Sequence, residues 1–240
     1  MKLLAVVPTY NERDTLPRLA EAVLALPLGA HLLVVDDASP DGTGEEAERL
    51  ARASDGRLHV LHRAGRMGLG TAYLDGFRWG LARDYDLLAE TDADFSHNPA
   101  DLPRLLAAVE AGADLALGSR YVPGGATPDW GLLRRLISRG GNLYARAILR
   151  SPIHDLTGGF KLFRRRVLEA IPLDQVRSEG YAFQIEMTYR ALTLGFRVVE
   201  VPIVFEDRRV GQSKMTWGIV AEALLRVPEI RIVARQPRGR

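Results

Sequence analysis

A chain of 240 residues, 47% hydrophobic and 26% charged, carries enough apolar side chains for one sizeable core, which excludes wholesale disorder. It has no cysteine, which excludes disulfides, thiolate metal centres and cysteine nucleophiles and fits a reducing compartment. A formal net charge of +2 carries no nucleic-acid footprint, although "LLRVPEIRIVARQPRGR" at the C-terminus sets Arg226, Arg231, Arg235, Arg238 and Arg240 against one acid, Glu229. The first apolar run breaks at Pro8 and Asn11, too early for a signal peptide, and no window approaches the ~18 consecutive apolar residues of a membrane span. The chain is expected to be soluble or peripheral.

Short apolar runs alternate with helical patterns through the first half. Residues 3–7 and 31–35 read as buried strands, 15–26 and 43–53 as helices, 58–61 as a short strand and 70–83 as a helix. A strand over 85–91 follows, then a helix opened by Pro99 and running to about 111, then a strand over 114–118. This alternation predicts a parallel sheet flanked by helices. After Arg120 the Gly- and Pro-rich "YVPGGATPDWG" reads as a long loop, followed by a helix over 132–149, the segment "HDLTGGFKLF", a helix near 181–194 and a strand over 196–205. The polar "EDRRVGQSKM" precedes a terminal helix over 217–233. Its apolar residues Ile219, Val220, Ala223, Leu224 and Val227 share one face, and Pro228 is expected to kink or end it.

In open parallel sheets, ligands sit beyond the carboxyl ends of the strands. Four polar clusters fall at such ends: "PTYNE", "DDASPDGT", "TDADFSH" and "GSRYVPGG". The third belongs to an acidic triplet, Glu90, Asp92 and Asp94, whose charges repel one another unless something neutralises them. Residues two apart in extended chain face the same side, so Asp92 and Asp94 can share one hard divalent cation, with substrate phosphates completing its shell. His97 is either a third ligand or a turn residue before Asn98-Pro99. Asp36 and Asp37 stand where nucleotide-binding sheets place an acid for ribose or base, while one of Asp36, Asp37 and Asp41 is expected to cap the helix opening at Thr43. "GLGTA" lacks the G-x-G-x-x-G pattern and signals only a tight turn near the ligand.

The order of "PTYNE", "VVDDASPDGT", "GLGTA", "TDADFSHNP", "GSRYVPGG", "DLTGGFKLF", "GYAFQIE" and "VPIVFEDRRVGQSKM" resembles the dolichyl-phosphate (polyprenyl-phosphate) mannose synthases, inverting members of glycosyltransferase family 2. The resemblance spans residues 3–215. It implies a GT-A fold, a Rossmann-like, mainly parallel α/β sheet flanked by helices. The catalytic domain would be 1–215, with a nucleotide- and metal-binding half (1–119) and an acceptor half (120–215), followed by an amphipathic helix and basic tail (216–240).

By the same resemblance, Pro8, Tyr10, Glu12, Val35 and Asp37 line the nucleotide. Asp92, Ala93 and Asp94 meet the diphosphate, and Asp92 and Asp94 hold Mg²⁺ or Mn²⁺. Arg120, Arg208 and Lys214 contact the sugar nucleotide or the phosphates; Arg134 and Ser138, with Arg120 and Arg208, receive the lipid phosphate. Asp92, Asp94 and Arg120 are the implied catalytic residues. Some members use a Gln at the metal where Ser96 stands here, and a shorter serine is not assumed to ligate.

The implied reaction moves mannose from GDP-mannose to dolichyl or polyprenyl phosphate with inversion, at the cytoplasmic face of a membrane. The chain would dock there peripherally through the terminal helix and its arginines, or through an integral-membrane partner. Read independently, the basic residues fit such chemistry, because cations offset the repulsion between an anionic donor and an anionic acceptor. An acceptor phosphate is already ionised, so no general base need stand out. UDP-glucose or another sugar nucleotide is the alternative donor. A sugar-phosphate nucleotidyltransferase is the more distant alternative, without the glycine-rich phosphate loop that would open it.

Overall fold

A computed structural model describes residues 1–206 and 217–234, with the side chains of 217–224 left out. Arg208, Lys214 and the tail arginines Arg235, Arg238 and Arg240 therefore lie outside the described residues, as do the side chains of Ile219, Val220, Ala223 and Leu224.

The first half alternates as expected. It comprises β1 (Leu3–Thr9), α1 (Leu16–Leu24), β2 (His31–Asp36), α2 (Thr43–Arg52), β3 (Leu58–His62), α3 (Leu69–Leu81), β4 (Leu87–Glu90), a 3-10 turn (Pro99–Asp101), α4 (Leu102–Glu110) and β5 (Leu115–Ser119). The second half comprises α5 (Leu132–Leu149), β6 (Lys161–Arg164), α6 (Arg165–Ala170), a 3-10 turn (Leu173–Gln175), α7 (Gly180–Thr193), β7 (Val198–Pro202) and α8 (Trp217–Val233). The strands form one sheet in the order β3-β2-β1-β4-β6-β5-β7. All pairings are parallel except those of β6, which runs antiparallel between β4 and β5.

The alternation of side chains along the strands builds the core on both faces. Leu3, Ala5 and Val7 pack with Leu16, Leu19 and Val23 on one side, and Leu4 and Val6 pack with Tyr73, Phe77 and Phe183 on the other. Helix α3 lies unusually close to the sheet. A Cβ added at Gly76 would collide with Val6 Cγ1, and one at Gly80 would lie 2.5 Å from Leu88 Cδ2.

The sequence pattern leaves "GGFKLF" unassigned, because β6 has four residues with a cation at each end, and its partners β4 and β5 supply the hydrogen bonds that its pattern does not advertise. Pro228 does not end α8, which continues to Val233 because Val227 and Ile230 are anchored in a cluster with Ala145, Leu149, Ile185 and Tyr189. That contact also packs the terminal helix on the domain.

A branched side chain has no space between α3 and β1, so Gly76→Val is expected to lower the unfolding free energy by about 3 kcal/mol, measured by urea denaturation.

Candidate active site

Because β1, β2, β4 and β5 point the same way, the four polar clusters that follow them meet at one edge of the sheet. The chain turns sharply there. Asn11, Ala38 and Phe95, just past β1, β2 and β4, adopt left-handed φ values of 60°, 52° and 60°. Such geometry costs a non-glycine residue about 1 kcal/mol or more and persists only where neighbours impose it. Here the first two loops are tied together: Asn11 N donates to Ser39 Oγ (3.1 Å), Glu12 N to Thr43 Oγ1 (3.0 Å), and Thr9 Oγ1 to Asp36 Oδ1 (3.0 Å). None of the three acids is the N-cap residue of α2, which is Gly42; Asp41, just before it, accepts from Thr43 N at 3.0 Å.

Pro8 and Tyr10 are half-buried at this edge, whereas Val35 turns its side chain wholly into the α3-side core. Asp37 is buried and fully engaged. One oxygen pairs with the buried Arg63 guanidinium, and the other accepts from Met67 N (3.1 Å) and Gly68 N (3.2 Å). Arg63 also bonds Asp75 (3.0 Å) and Thr71 (2.7 Å), so it fixes the β3–α3 loop as well as the acid.

The acidic triplet divides in two. Glu90 is wholly buried and faces Lys161 across the β4–β6 register, with the ammonium 3.6 Å from its carboxylate. Burial raises its pKa to about 7 against the pull of Lys161, while burial lowers the pKa of Lys161. Lys161 donates to the Gln184 carbonyl (3.0 Å) and side-chain amide oxygen. Asp92, its side chain 30% exposed, accepts from Tyr73 Oη at 3.2 Å. Burial first, then the Asp92 and Glu90 charges, hold that phenol well above its usual pKa, so it remains a donor. Asp94 accepts from Ser96 N at 2.9 Å.

His97 is buried, stacked on Phe160 with centroids 5.2 Å apart, and its Nδ1 faces Asp92 N at 3.5 Å. Burial lowers its pKa despite the nearby aspartates, so the neutral ring orients the acidic loop. Among the described residues no three His, Asp or Glu side chains group as a metal cage. Two hard carboxylates at one strand end nevertheless suit Mg²⁺ or Mn²⁺, which keep waters and take phosphate oxygens for the rest of their shell.

Past β5, the Arg120 guanidinium is gripped bidentately by Asp155 (2.7 and 2.6 Å) and by Thr157 (2.8 Å). Burial disfavours its charge and Asp155 more than restores it. The rings of Tyr121, Trp130 and Phe205 each lie 5.4 Å from it. The same rings gather the predicted Arg134, which stacks on Trp130 at 4.1 Å, and also Arg139, 5.9 Å from Tyr121, while Tyr121 Oη donates to Ser138 Oγ at 2.6 Å. Arg120, Arg134 and Ser138 thus form one cluster beside the acidic pair. Arg135 instead bonds the carbonyls of Thr127 and Pro128.

The sequence profile of the glycosyl transferase family 2 matches residues 4–171. The chain belongs to that family. This glycosyltransferase is 52% identical over 239 residues to the polyprenol monophosphomannose synthase of Mycolicibacterium smegmatis, covering 100% of this chain and 90% of the relative. It is 51% identical to the undecaprenyl-phosphate mannosyltransferase of Micrococcus luteus, covering 98% and 96%. Its fold matches the glucosyl-3-phosphoglycerate synthase of Mycobacterium tuberculosis, solved with Mn²⁺, UDP-glucose and phosphoglyceric acid, with a TM-score of 0.69 at 20% identity over 99% of this chain and 81% of that one. The GT-A architecture inferred from the motifs is therefore the one the enzyme adopts.

Sequence reasoning did not single out Arg63, Tyr73, Asp155, Lys161 or Gln184. "DLTGG" and "FKLF" carried the resemblance without a role, and only the sheet register reveals that Lys161 opposes Glu90. Lys161→Met should strand that carboxylate and cost about 3–5 kcal/mol at pH 8, most of which Glu90→Gln in the same chain restores. The cost should shrink at pH 5, where the raised pKa of Glu90 leaves it neutral. Urea midpoints of the single and double variants at both pH values check this.

Proposed function

We propose that the enzyme transfers mannose from GDP-mannose to the phosphate of a polyprenyl or dolichyl phosphate with inversion, giving a β-linked lipid phosphomannose. The observation that carries this is two adjoining sites for anions on one sheet edge: an acidic pair suited to a metal-bound diphosphate, and the Arg120, Arg134 and Ser138 cluster suited to a free phosphate. Identity above 50% to two relatives named for mannosyl transfer to such lipids supports it.

Pro8, Tyr10, Glu12 and Asp37 would line the nucleotide, with Val35 beneath them and Ala93 beside the diphosphate. Asp92 and Asp94 would hold Mg²⁺ or Mn²⁺, which supplies charge neutralisation of the departing nucleoside diphosphate. Tyr73 and Ser96 keep the two carboxylates aimed, and Asp155 holds Arg120 before any substrate arrives. Arg134 and Ser138 orient the acceptor oxygen for attack from the face opposite the leaving group, and Arg208 and Lys214 are assigned to the phosphates by resemblance. An ionised acceptor needs no general base.

The membrane face is proposed to be α5. Its outer side carries Leu132, Leu136 and Leu143, 74%, 59% and 66% exposed, within one helical stripe that also holds Arg139 and ends at Arg150. An exposed apolar stripe with arginines suits an anionic bilayer surface, and it adjoins Arg134 and Ser138, where the lipid phosphate must reach. Helix α5 is preferred to the terminal helix, whose Val227 and Ile230 pack on the domain, and the docked face is taken to be the cytoplasmic one. No described helix is long and apolar enough to cross a membrane.

Labelled mannose should pass from GDP-mannose, and not label from UDP-glucose, to a short polyprenyl phosphate in Mn²⁺. EDTA should stop transfer, Asp94→Ala should lower it about 100-fold or more, and Arg134→Ala should raise KM for the lipid while leaving GDP affinity intact. Transfer from UDP-glucose at an equal rate would sink the donor assignment. In a flotation assay with anionic phospholipid vesicles, Leu136→Glu with Leu143→Glu should weaken binding about 10-fold or more.

A further inference from the structure

We infer that Arg66 reads the nucleobase of the donor and selects guanine. The inference rests on GDP-mannose as donor and adds the residue that distinguishes it from a uridine nucleotide.

The sheet order sets the geometry. β2 and β3 lie two and three strands from β4, about 10–14 Å away at the usual strand spacing. A diphosphate at Asp92 and Asp94 therefore directs the ribose and base of an extended nucleotide along the ends of β1 and β2, toward the β3–α3 loop. That loop is anchored at both ends. Arg63 ties its start to Asp37 and Asp75, and Asp37 accepts from Met67 N and Gly68 N at its close. Gly68, at φ +100°, makes the turn into α3 where a side chain would run into Glu179.

Arg66 stands between these anchors and is exposed. Its guanidinium lies over the Tyr10 ring, 4.4 Å from the centroid, and among the described residues it makes no hydrogen bond or ion pair. Among the described arginines at this edge, Arg63 is held by Asp37 and Arg120 by Asp155, and Arg13 bonds the Asp41 carbonyl. Arg66 thus offers a planar fork of unspent donors, supported on an aromatic face, where the base must arrive.

Guanine presents two neighbouring acceptors, O6 and N7, which a guanidinium fork meets with two parallel hydrogen bonds. Uracil has no such pair, since O4 is flanked by the N3–H donor and a carbon. A bidentate contact of this kind separates a right from a wrong base by about 10-fold or more.

The test is isothermal titration of the full chain in Mn²⁺ with GDP, UDP and 7-deaza-GDP, in which a carbon replaces N7. The wild type should bind GDP about 10-fold or more tighter than both others. Arg66→Ala should bind GDP and 7-deaza-GDP equally. Arg66→Lys should also lose that preference, because it keeps the charge and lacks the fork. If either variant retains the wild-type ratio of GDP to 7-deaza-GDP, or if Arg66→Ala weakens GDP and UDP by the same factor, the assignment is wrong. Equal binding of GDP and UDP by the wild type would overturn the guanine donor itself, a result read before any variant is made.

Discussion

Buried negative charge at the strand ends is the constraint around which this domain is arranged. An isolated carboxylate inside a protein is costly, and the fold answers its buried acids with matched cations: Arg63 for Asp37, Lys161 for Glu90, Arg120 for Asp155. Each partner comes from a different element, so each pair also sews two elements together. Such pairs add little net stability, since desolvation offsets most of the attraction. What they secure is position, with loops that would otherwise wander held in left-handed turns beside the carboxylates.

The same arrangement accounts for a reaction between two anions. Transfer to a phosphate is limited by bringing like charges together and releasing a diphosphate, and neither demand calls for proton transfer. Side chains that are rigid before substrate binds serve both, because no reorganisation is left for the moment of reaction. Arg120 illustrates this: a carboxylate, a hydroxyl and three aromatic rings leave its guanidinium one orientation. Tyr73 does the equivalent for Asp92, its hydroxyl kept protonated by burial first and then by the charges it faces.

Much of this was legible in the sequence. Continuous apolar strands such as Leu3–Thr9, and amphipathic helices such as Leu132–Leu149, announce themselves by period, and strand-end polar clusters must converge once the strands are parallel. Asp92 and Asp94 are legible on that basis, and Arg120, Arg134 and Ser138 on family likeness. The missing half consists of partners. A lysine that reads as surface, Lys161, is fully buried because the antiparallel pairing of β6 delivers it to Glu90, and no local pattern encodes a pairing across some seventy positions of chain. Asp155 and Arg63 were hidden for the same reason: their worth lies in a residue far away in sequence.

The place of β6 in the sheet also bears on how the chain is made. During synthesis β5 leaves the ribosome before β6, yet in the finished sheet β6 separates β5 from β4. Until residue 164 has emerged, β4 shows an open edge of hydrogen-bonding groups and β5 has no neighbour to complete it. Exposed edges of this kind invite pairing with other chains. The strand that finally closes the gap carries a lysine at one end and an arginine at the other. Before insertion those charges keep β6 itself from joining a stranger's sheet; after insertion Lys161 finds the acid waiting for it, so a safeguard of the nascent chain becomes a fixture of the folded one.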